Sequence, residues 1–441
     1  MIKIIIIKLK ALHSIKIRLN YNYDKKKIMK KPKIYEQEEH KIEKNKIDDN
    51  AIYIVEKLKK HKHQAYIVGG CVRDLLIEQN PKDFDISTSA HPEEIKKVFP
   101  RALLIGKRFR LAHIRFSRNV YEVSTFRKGN NEAETIIESD NLYGSEKDDV
   151  FRRDFTMNGL FYDPTNETII DYVGGVEDVK KHYLRCIGMP YKRFIQDPVR
   201  MIRAIKFKAR FGFNMQTEII QAIIDCRDEI TNSAPARVLE EMLRMLESMH
   251  SKEFIIQLKK AALLEKLLPA YASHIEKNHA SFHFLELIDE RLKKQDAYIS
   301  RSILVACLVF PLTVDHLENL YSSSKKKTTI NIIQKECEFI LKDFFHPYLR
   351  ITKRMYYKVL AILSYQFRFT PLNKPKHIKI RIANCPFFSY ALHFFEIRAT
   401  LEPDLMPILK EWQYYYKQRK KSIDEADVKH NKKRYNRRRR G

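Results

Sequence analysis

Cysteine is scarce and scattered in this chain. The 441 residues hold six, Cys71, Cys186, Cys226, Cys307, Cys337 and Cys385, with no CxxC pair and no Cys/His cluster. That spacing excludes a disulfide framework and a Cys/His zinc site, and reads as free thiols in a reducing compartment. Long apolar runs are missing as well: none approaches the ~20 residues a membrane helix needs. The Ile4 to Ile7 run is too short for the apolar part of a secretion signal, and Lys and Arg follow it closely. A cytoplasmic protein with no membrane partner is expected. Acidic residues are outnumbered, 55 against 83 Lys and Arg, for a formal net charge of +28. Such an excess favours a polyanionic partner through counterion release, although a codon bias toward Lys, Ile and Asn accounts equally well for much of the lysine. What the composition does supply is 44% hydrophobic and 31% charged residues, which suits two or three compact units.

The pattern along the chain divides it. Residues 1–50 read as a partly disordered extension, of which the stretch before Met29 looks dispensable. A head is expected over 51–180. Ile52, Ile54, Val55 and Leu58 recur at helical spacing, Ala65 to Val68 is a short strand, and a helix starts near Val72. Asp83 to Ser87 reads as a strand, and His91-Pro92 opens a helix. Leu111 to Ser117 and Val120 to Phe126 are strands, 128–149 a mobile loop, and Thr168 to Val173 a last strand. Beyond 180 the strand signal fades into three-to-four-residue apolar spacing. The expected order is a helical neck over 181–270, a helical RNA-binding body over 271–416, and a basic tail over 417–441 available to RNA. The fold class is an α/β head followed by an all-α neck and body.

Four clusters carry chemistry. Gly69-Gly70-Cys71-Val72-Arg73-Asp74 sits at a strand–turn–helix junction, where glycines let backbone N–H groups approach a phosphate and Arg73 adds a fork of donors. A Gly-Gly turn alone is usually just a turn. Asp83-Phe84-Asp85 changes its meaning, because side chains two apart on a strand share a face. Two carboxylates held together call for a cation, and hard oxygens suit Mg²⁺, whose shell is completed by water and substrate phosphate. Glu122 lies amid an apolar strand, where a lone carboxylate would be costly. Beside the Asp pair it would complete a two-metal site. Arg152-Arg153-Asp154-Phe155-Thr156-Met157-Asn158 offers donors and acceptors for a ribose and a triphosphate. In Asp197-Pro198-Val199-Arg200-Met201-Ile202-Arg203, Asp197 reads as a helix N-cap, and Asp197, Arg200 and Arg203 share a helix face. A carboxylate accepts from an exocyclic amine and a guanidinium donates to the adjacent ring nitrogen, so such a pair selects adenine or cytosine without a template. It does not tell one from the other.

With these residues in this order, the chain from about Ala51 to Leu268 resembles the bacterial poly(A) polymerase and CCA-adding enzyme family, whose heads are polymerase-β-like nucleotidyltransferases with a small mixed sheet. The resemblance implies that Asp83 and Asp85 bind catalytic Mg²⁺, with Glu122 as the third carboxylate. It implies that Gly69, Gly70 and Arg73 contact the nucleotide phosphates, and that Arg153, Asp154 and Asn158 hold triphosphate and ribose, with Asp154 among the catalytic residues. Asp197 and Arg200 match the base-reading pair, with Arg203 close by. The segments Ile105 to His113, Asp140 to Ser145 and Ala234 to Glu241, with the basic tail, resemble the poly(A) branch. Gln196 stands where that family usually has Glu. The expected activity is adenylate addition from ATP to RNA 3′ ends. CCA addition from CTP and ATP is the alternative within the family, and a non-catalytic RNA-binding protein the alternative outside it. RNA, ATP and RNA-decay proteins are the expected partners of a monomer.

Overall fold

The computed structural model describes residues 31–106, 111–129, 142–294, 298–322, 329–370 and 374–419. The stretch before Met29, residues 107–110 and 140–141 of the poly(A)-like segments, and all of the basic tail beyond Arg419 lie outside the described residues. The chain forms two compact units, Met1–Glu229 and Ile230–Gly441.

The first unit is built on an eight-stranded sheet. Its strands are β1 (Lys33–Tyr35), β2 (Ala65–Val68), β3 (Asp85–Thr88), β4 (Leu103–Ile105), β5 (Leu111–Phe116), β6 (Asn119–Thr125), β9 (Leu160–Asp163) and β10 (Thr168–Asp171). A two-stranded ladder of β7 (Arg127–Lys128) and β8 (Leu142–Tyr143) stands apart from it. The sheet order is β1-β10-β9-β2-β3-β6-β5-β4. Pairing is antiparallel except between β3 and β6, which run parallel with Ile86 opposite Val123 and Ser87 opposite Ser124.

Alternation sorts the two faces of this sheet. Ala65, Ile67, Ile86, Ala112, Val123 and Tyr162 point into one core, covered by the Asp49–Lys60 and Pro92–Val98 helices through Ala51, Ile54, Val55, Leu58 and Ile95. The helix over Asp49–Lys60 starts where Asp48 accepts from the backbone N–H of Asn50 and Ala51, at 2.8 and 3.3 Å. Tyr66, Val68, Phe126 and Phe161 point to the other face and pack with Val150, Val173 and Ile187. This second apolar cluster is small, so part of that face is left to polar side chains.

Several expectations are corrected here. Residues 31–50 are not a loose extension. Strand β1 pairs with β10, Ile42 and Ile47 are buried in the head core, and buried His40 hydrogen-bonds the Glu167 carbonyl at 2.9 Å. Three-residue strands carry too little alternation to be read from sequence. The 128–149 segment is not all loop. It contains β8 and the Glu146–Phe151 helix, capped by Ser145 and Asp148. The unit also does not end near 180. Strand β11 (Tyr183–Leu184) pairs in parallel with β12 (Asn214–Met215), and the Thr156 N–H donates to the Arg185 carbonyl, tying this stretch back to the head.

The second unit, as far as it is described, is helical, from Pro235–Leu246 to Phe388–Leu401. Phe369, Phe388, Phe395 and Trp412 centre one of its cores, and Trp412 Nε1 donates to the Phe369 carbonyl at 3.1 Å. Its Arg301–Ser322 helix, at 22 residues, is long and apolar enough by composition to cross a membrane, contrary to the sequence expectation, and 67% of its apolar window is buried. Helices of this kind also occur as core helices of globular proteins.

Candidate active site

Strand β2 ends at Gly69, whose φ of 78° and ψ of −124° only glycine adopts without strain. The Gly69 N–H still donates to the Leu160 carbonyl, and the Gly70–Leu76 helix begins at once. A Cβ on Gly69 would meet Arg153 Nη1 at 3.0 Å, so the turn leaves room for that guanidinium. Arg153 lies over the Phe161 ring, 5.5 Å from its centroid, and donates to the Asn158 carbonyl at 3.2 Å and to Ser87 Oγ at 3.4 Å.

Ser87 marks the polar part of the sheet face. Its hydroxyl lies 3.1 Å from that of Ser124, its partner across the parallel pair. One step back along both strands come Ile86 and Val123 on the core side, and one further come Asp85 and Glu122. The register therefore sets Asp85 and Glu122 beside each other on the Ser87/Ser124 face, and both are exposed. Asp83, also exposed, precedes the first residue of β3, while Phe84 packs on the core. Glu122 is not a buried acid amid apolar residues. Its side chain is 53% exposed and faces His113 at 3.5 Å, because the exposed positions of β6 point away from the core.

Among the described residues no group of three His, Cys, Asp or Glu side chains stands ready to hold a metal ion. The expected three-carboxylate cluster is therefore not assembled in this conformation. Two neighbouring aspartates still fit Mg²⁺, which binds through one or two carboxylates plus water and substrate phosphate.

Behind this face runs a chain of buried hydrogen bonds. Asn158 accepts from Arg73 Nη1 at 2.7 Å and donates to Asp154 Oδ1 at 2.9 Å. Asp154 Oδ1 also accepts the Phe155 N–H, and its Oδ2 accepts Arg203 Nε at 2.7 Å. Burial works against ionising Asp154, but Arg203, Asn158, the Phe155 N–H and Arg200 together hold its carboxyl well below the usual range. Asp154 is thus a buried pivot joining two chain segments. Arg73 is buried too. Its Nε and Nη2 donate to Asp74 and its guanidinium lies against Phe207 and Phe211, so its donors are engaged within the protein.

Asp197 stands one residue before the N-cap of the following helix, which is Pro198. It ends the Pro190–Gln196 helix with φ −149°, and its carbonyl accepts the Arg200 N–H as Val199–Phe211 begins. Arg200 donates to the carbonyls of Arg193 and Arg152 at 3.3 and 3.2 Å, which places it, like Arg203, over the 152–154 segment.

Two further residues organise the site. Asp149, fully buried, accepts from Arg152 Nε at 2.6 Å and Arg153 Nη2 at 2.7 Å. Burial alone would raise its pKa, but Arg153 and Arg152 reverse the shift and hold it below the ordinary range. Buried Arg193 donates to the carbonyls of Arg152 and Arg153 at 2.7 and 2.6 Å and to Gln196 Oε1 at 3.3 Å. Gln196 thus serves as a neutral acceptor. The i, i+3 and i+4 spacing of Asp149 to Arg152 and Arg153 was visible in the sequence, but only a helix there gives it meaning.

Residues 65–185 match the family model for the "Poly A polymerase head domain", and residues 212–275 match that for the "Probable RNA and SrmB- binding site of polymerase A". The chain is 41% identical to Poly(A) polymerase I of Haemophilus influenzae over 244 residues, 53% of this chain and 54% of that protein. It is 36% identical to Poly(A) polymerase I of Salmonella typhi over 283 residues, 62% of this chain and 61% of that one. A CCA-adding enzyme of Anoxybacillus flavithermus is 40% identical over 201 residues, 44% and 49% of the two chains. The match therefore spans between half and two thirds of the length of these poly(A) polymerases. Among solved structures, the Bacillus stearothermophilus CCA-adding enzyme in complex with CTP superposes with a TM-score of 0.58 at 24% identity, covering 83% of this chain and 82% of that one. That likeness shows a common fold.

Proposed function

We propose that the chain, through its head, belongs to the family of bacterial poly(A) polymerases and CCA-adding enzymes and adds adenylate residues from ATP to RNA 3′ ends without a template. The observation that carries the reading is the β3–β6 register, which puts Asp85 beside Glu122 on the face where Arg153 reaches Ser87. Anionic and cationic groups meet there at an exposed edge, as transfer of a nucleotidyl group to a hydroxyl requires.

Asp83 and Asp85 would hold Mg²⁺, which when bound activates the RNA 3′-hydroxyl and stabilises charge on the triphosphate. Arg153 presents its guanidinium to the triphosphate from the Gly69 turn, oriented by Asp149. Asp154 and Asn158 act from behind, fixing Arg73 and Arg203. Glu122, which the register sets beside Asp85, would be the third carboxylate. Asp197 and Arg200 read the amine-and-acceptor edge that adenine and cytosine share. The preference for adenylate rests on the longer match to Poly(A) polymerase I, 244 and 283 residues against 201 for the CCA-adding enzyme. The proposal includes a role in RNA processing and decay in a reducing cytoplasm, with RNA-decay proteins as partners and the protein acting as a monomer.

The test uses a labelled generic RNA and a tRNA lacking its CCA end, each given ATP, CTP or both. Long A-only extension of the generic RNA, with little incorporation from CTP, is expected. Addition of C, C and A to the tRNA alone, followed by a stop, would replace this reading with CCA addition.

A further inference from the structure

The helix over Lys353–Phe369 in the second unit carries a polar stripe along one side. Arg354, Tyr357, Ser364 and Arg368 recur at spacings of three, seven and four, so they share one face. That face floors an open cavity of about 400 Å³, walled by Gln334 on one side and by Phe387 on the other. The volume is within the range of small-ligand sites.

Arg368 is the unusual member. Among the described residues its Nε is buried without a hydrogen-bond partner, and its Nη2 makes a long 3.4 Å contact to Gln334 Oε1. Its guanidinium lies over the Tyr365 ring, 5.3 Å from the centroid. Among the described residues no carboxylate forms an ion pair with Arg354 or Arg368, and none lines the cavity. Glu338, one turn along from Gln334, is already engaged by Lys342 and by the Tyr356 hydroxyl. Buried donors with no acceptor are costly and uncommon in folded proteins. Two aromatic side chains flank the arginines. Tyr357 is 58% exposed, and Phe387 is held at a φ of 63°, a conformation bulky residues avoid unless their surroundings impose it.

We propose that this groove binds single-stranded RNA, with backbone phosphates against Arg354 and Arg368 and a base stacked on Tyr357. The two arginines are 14 residues apart on one helix, roughly 21 Å along its axis, further than one mononucleotide spans. A strand satisfies both, and a flat ring between two cations is the common arrangement for sequence-tolerant RNA binding. The inference rests on the reading that RNA is the substrate, and it assigns the RNA a holding point in the helical unit, within that unit's own structure.

The experiment uses the full chain in EDTA without ATP, so its result is independent of nucleotide transfer. Anisotropy of a labelled generic 15-nucleotide RNA is followed against salt for the parent, Arg354→Gln, Arg368→Gln, Tyr357→Ala and Tyr357→Phe. Each arginine variant is expected to weaken binding and to lower the log–log salt slope by about 0.7. Tyr357→Ala is expected to weaken it roughly fivefold or more, while Tyr357→Phe, which keeps the ring, binds like the parent. Arg354 and Tyr357 are exposed, so these variants test binding without disturbing the core. Parent-like binding and slope in Arg354→Gln and Tyr357→Ala would overturn the proposal. So would displacement of the RNA by AMP that depends on Tyr357, since that is the behaviour of a mononucleotide site. Failure of the proposed activity would instead appear in the extension assay, where RNA binding persists without ATP-dependent growth.

Discussion

The Arg153 guanidinium is clamped by the Asp149 carboxylate, with Nη2 at 2.7 Å and Nε at 3.2 Å from Oδ2, and the carboxylate is fully buried. This pair sets where the site's cation points, because Arg153 reaches Ser87 on the sheet face from the same guanidinium. Asp149→Ala leaves Arg152 and Arg153 partly buried and without their anion, which costs about 3–5 kcal/mol. Urea unfolding measures that loss. The KM for ATP is expected to rise more than kcat falls, since Arg153 is misaimed and the aspartates proposed to hold Mg²⁺ are untouched. An unchanged KM would remove Arg153 from the triphosphate.

Acid should act on two buried carboxylates. Asp149 and Asp154 both titrate below the ordinary value of about 3.9 in the folded chain. Groups with depressed pKa stabilise the fold fully above that ordinary value, and the contribution fades as pH falls toward the folded pKa. The stability advantage of the parent over Asp154→Asn is therefore expected to be constant from pH 7 to about 5 and to shrink below about 4. Urea midpoints of both proteins across this range decide it, and an advantage that grows on acidification would contradict the assignment.

Gly69→Ala tests the turn. Alanine at a φ of 78° is strained, and its Cβ would press on Arg153 Nη1 at 3.0 Å. A loss of about 1–3 kcal/mol is expected, together with a raised KM for ATP as the guanidinium is displaced. A variant with normal melting temperature and KM would show that the turn has slack.

Asp83→Ala and Asp85→Ala should separate chemistry from folding. Both side chains are exposed, so the melting curve is expected to stay within about 0.5 kcal/mol of the parent. Nucleotide addition should fall by roughly 10³-fold or more, the kinetic equivalent of several kcal/mol of lost charge stabilisation. Substantial activity in either variant would sink the metal assignment.

Much of this protein was written in its linear order. The Ala65 to Val68 strand, the Gly-Gly turn and the paired aspartates are local patterns of alternation, backbone permission and charge, and such patterns need no distant partner to be recognised. The order of the motifs, likewise local, was enough to suggest the family. The tertiary structure decided what those residues do beside one another. Glu122 looked like a costly buried acid in a run of apolar residues, yet parallel pairing of β3 with β6 turns it outward next to Asp85. Arg73 looked like a free phosphate arm, yet Asn158, 85 residues away, and Asp74 engage it in a buried network. Asp154 meets Arg203 only because the Val199–Phe211 helix lies over the 152–154 segment. Side-chain direction and burial depend on which segments pack together, and that is settled by long-range contacts that no local spacing encodes.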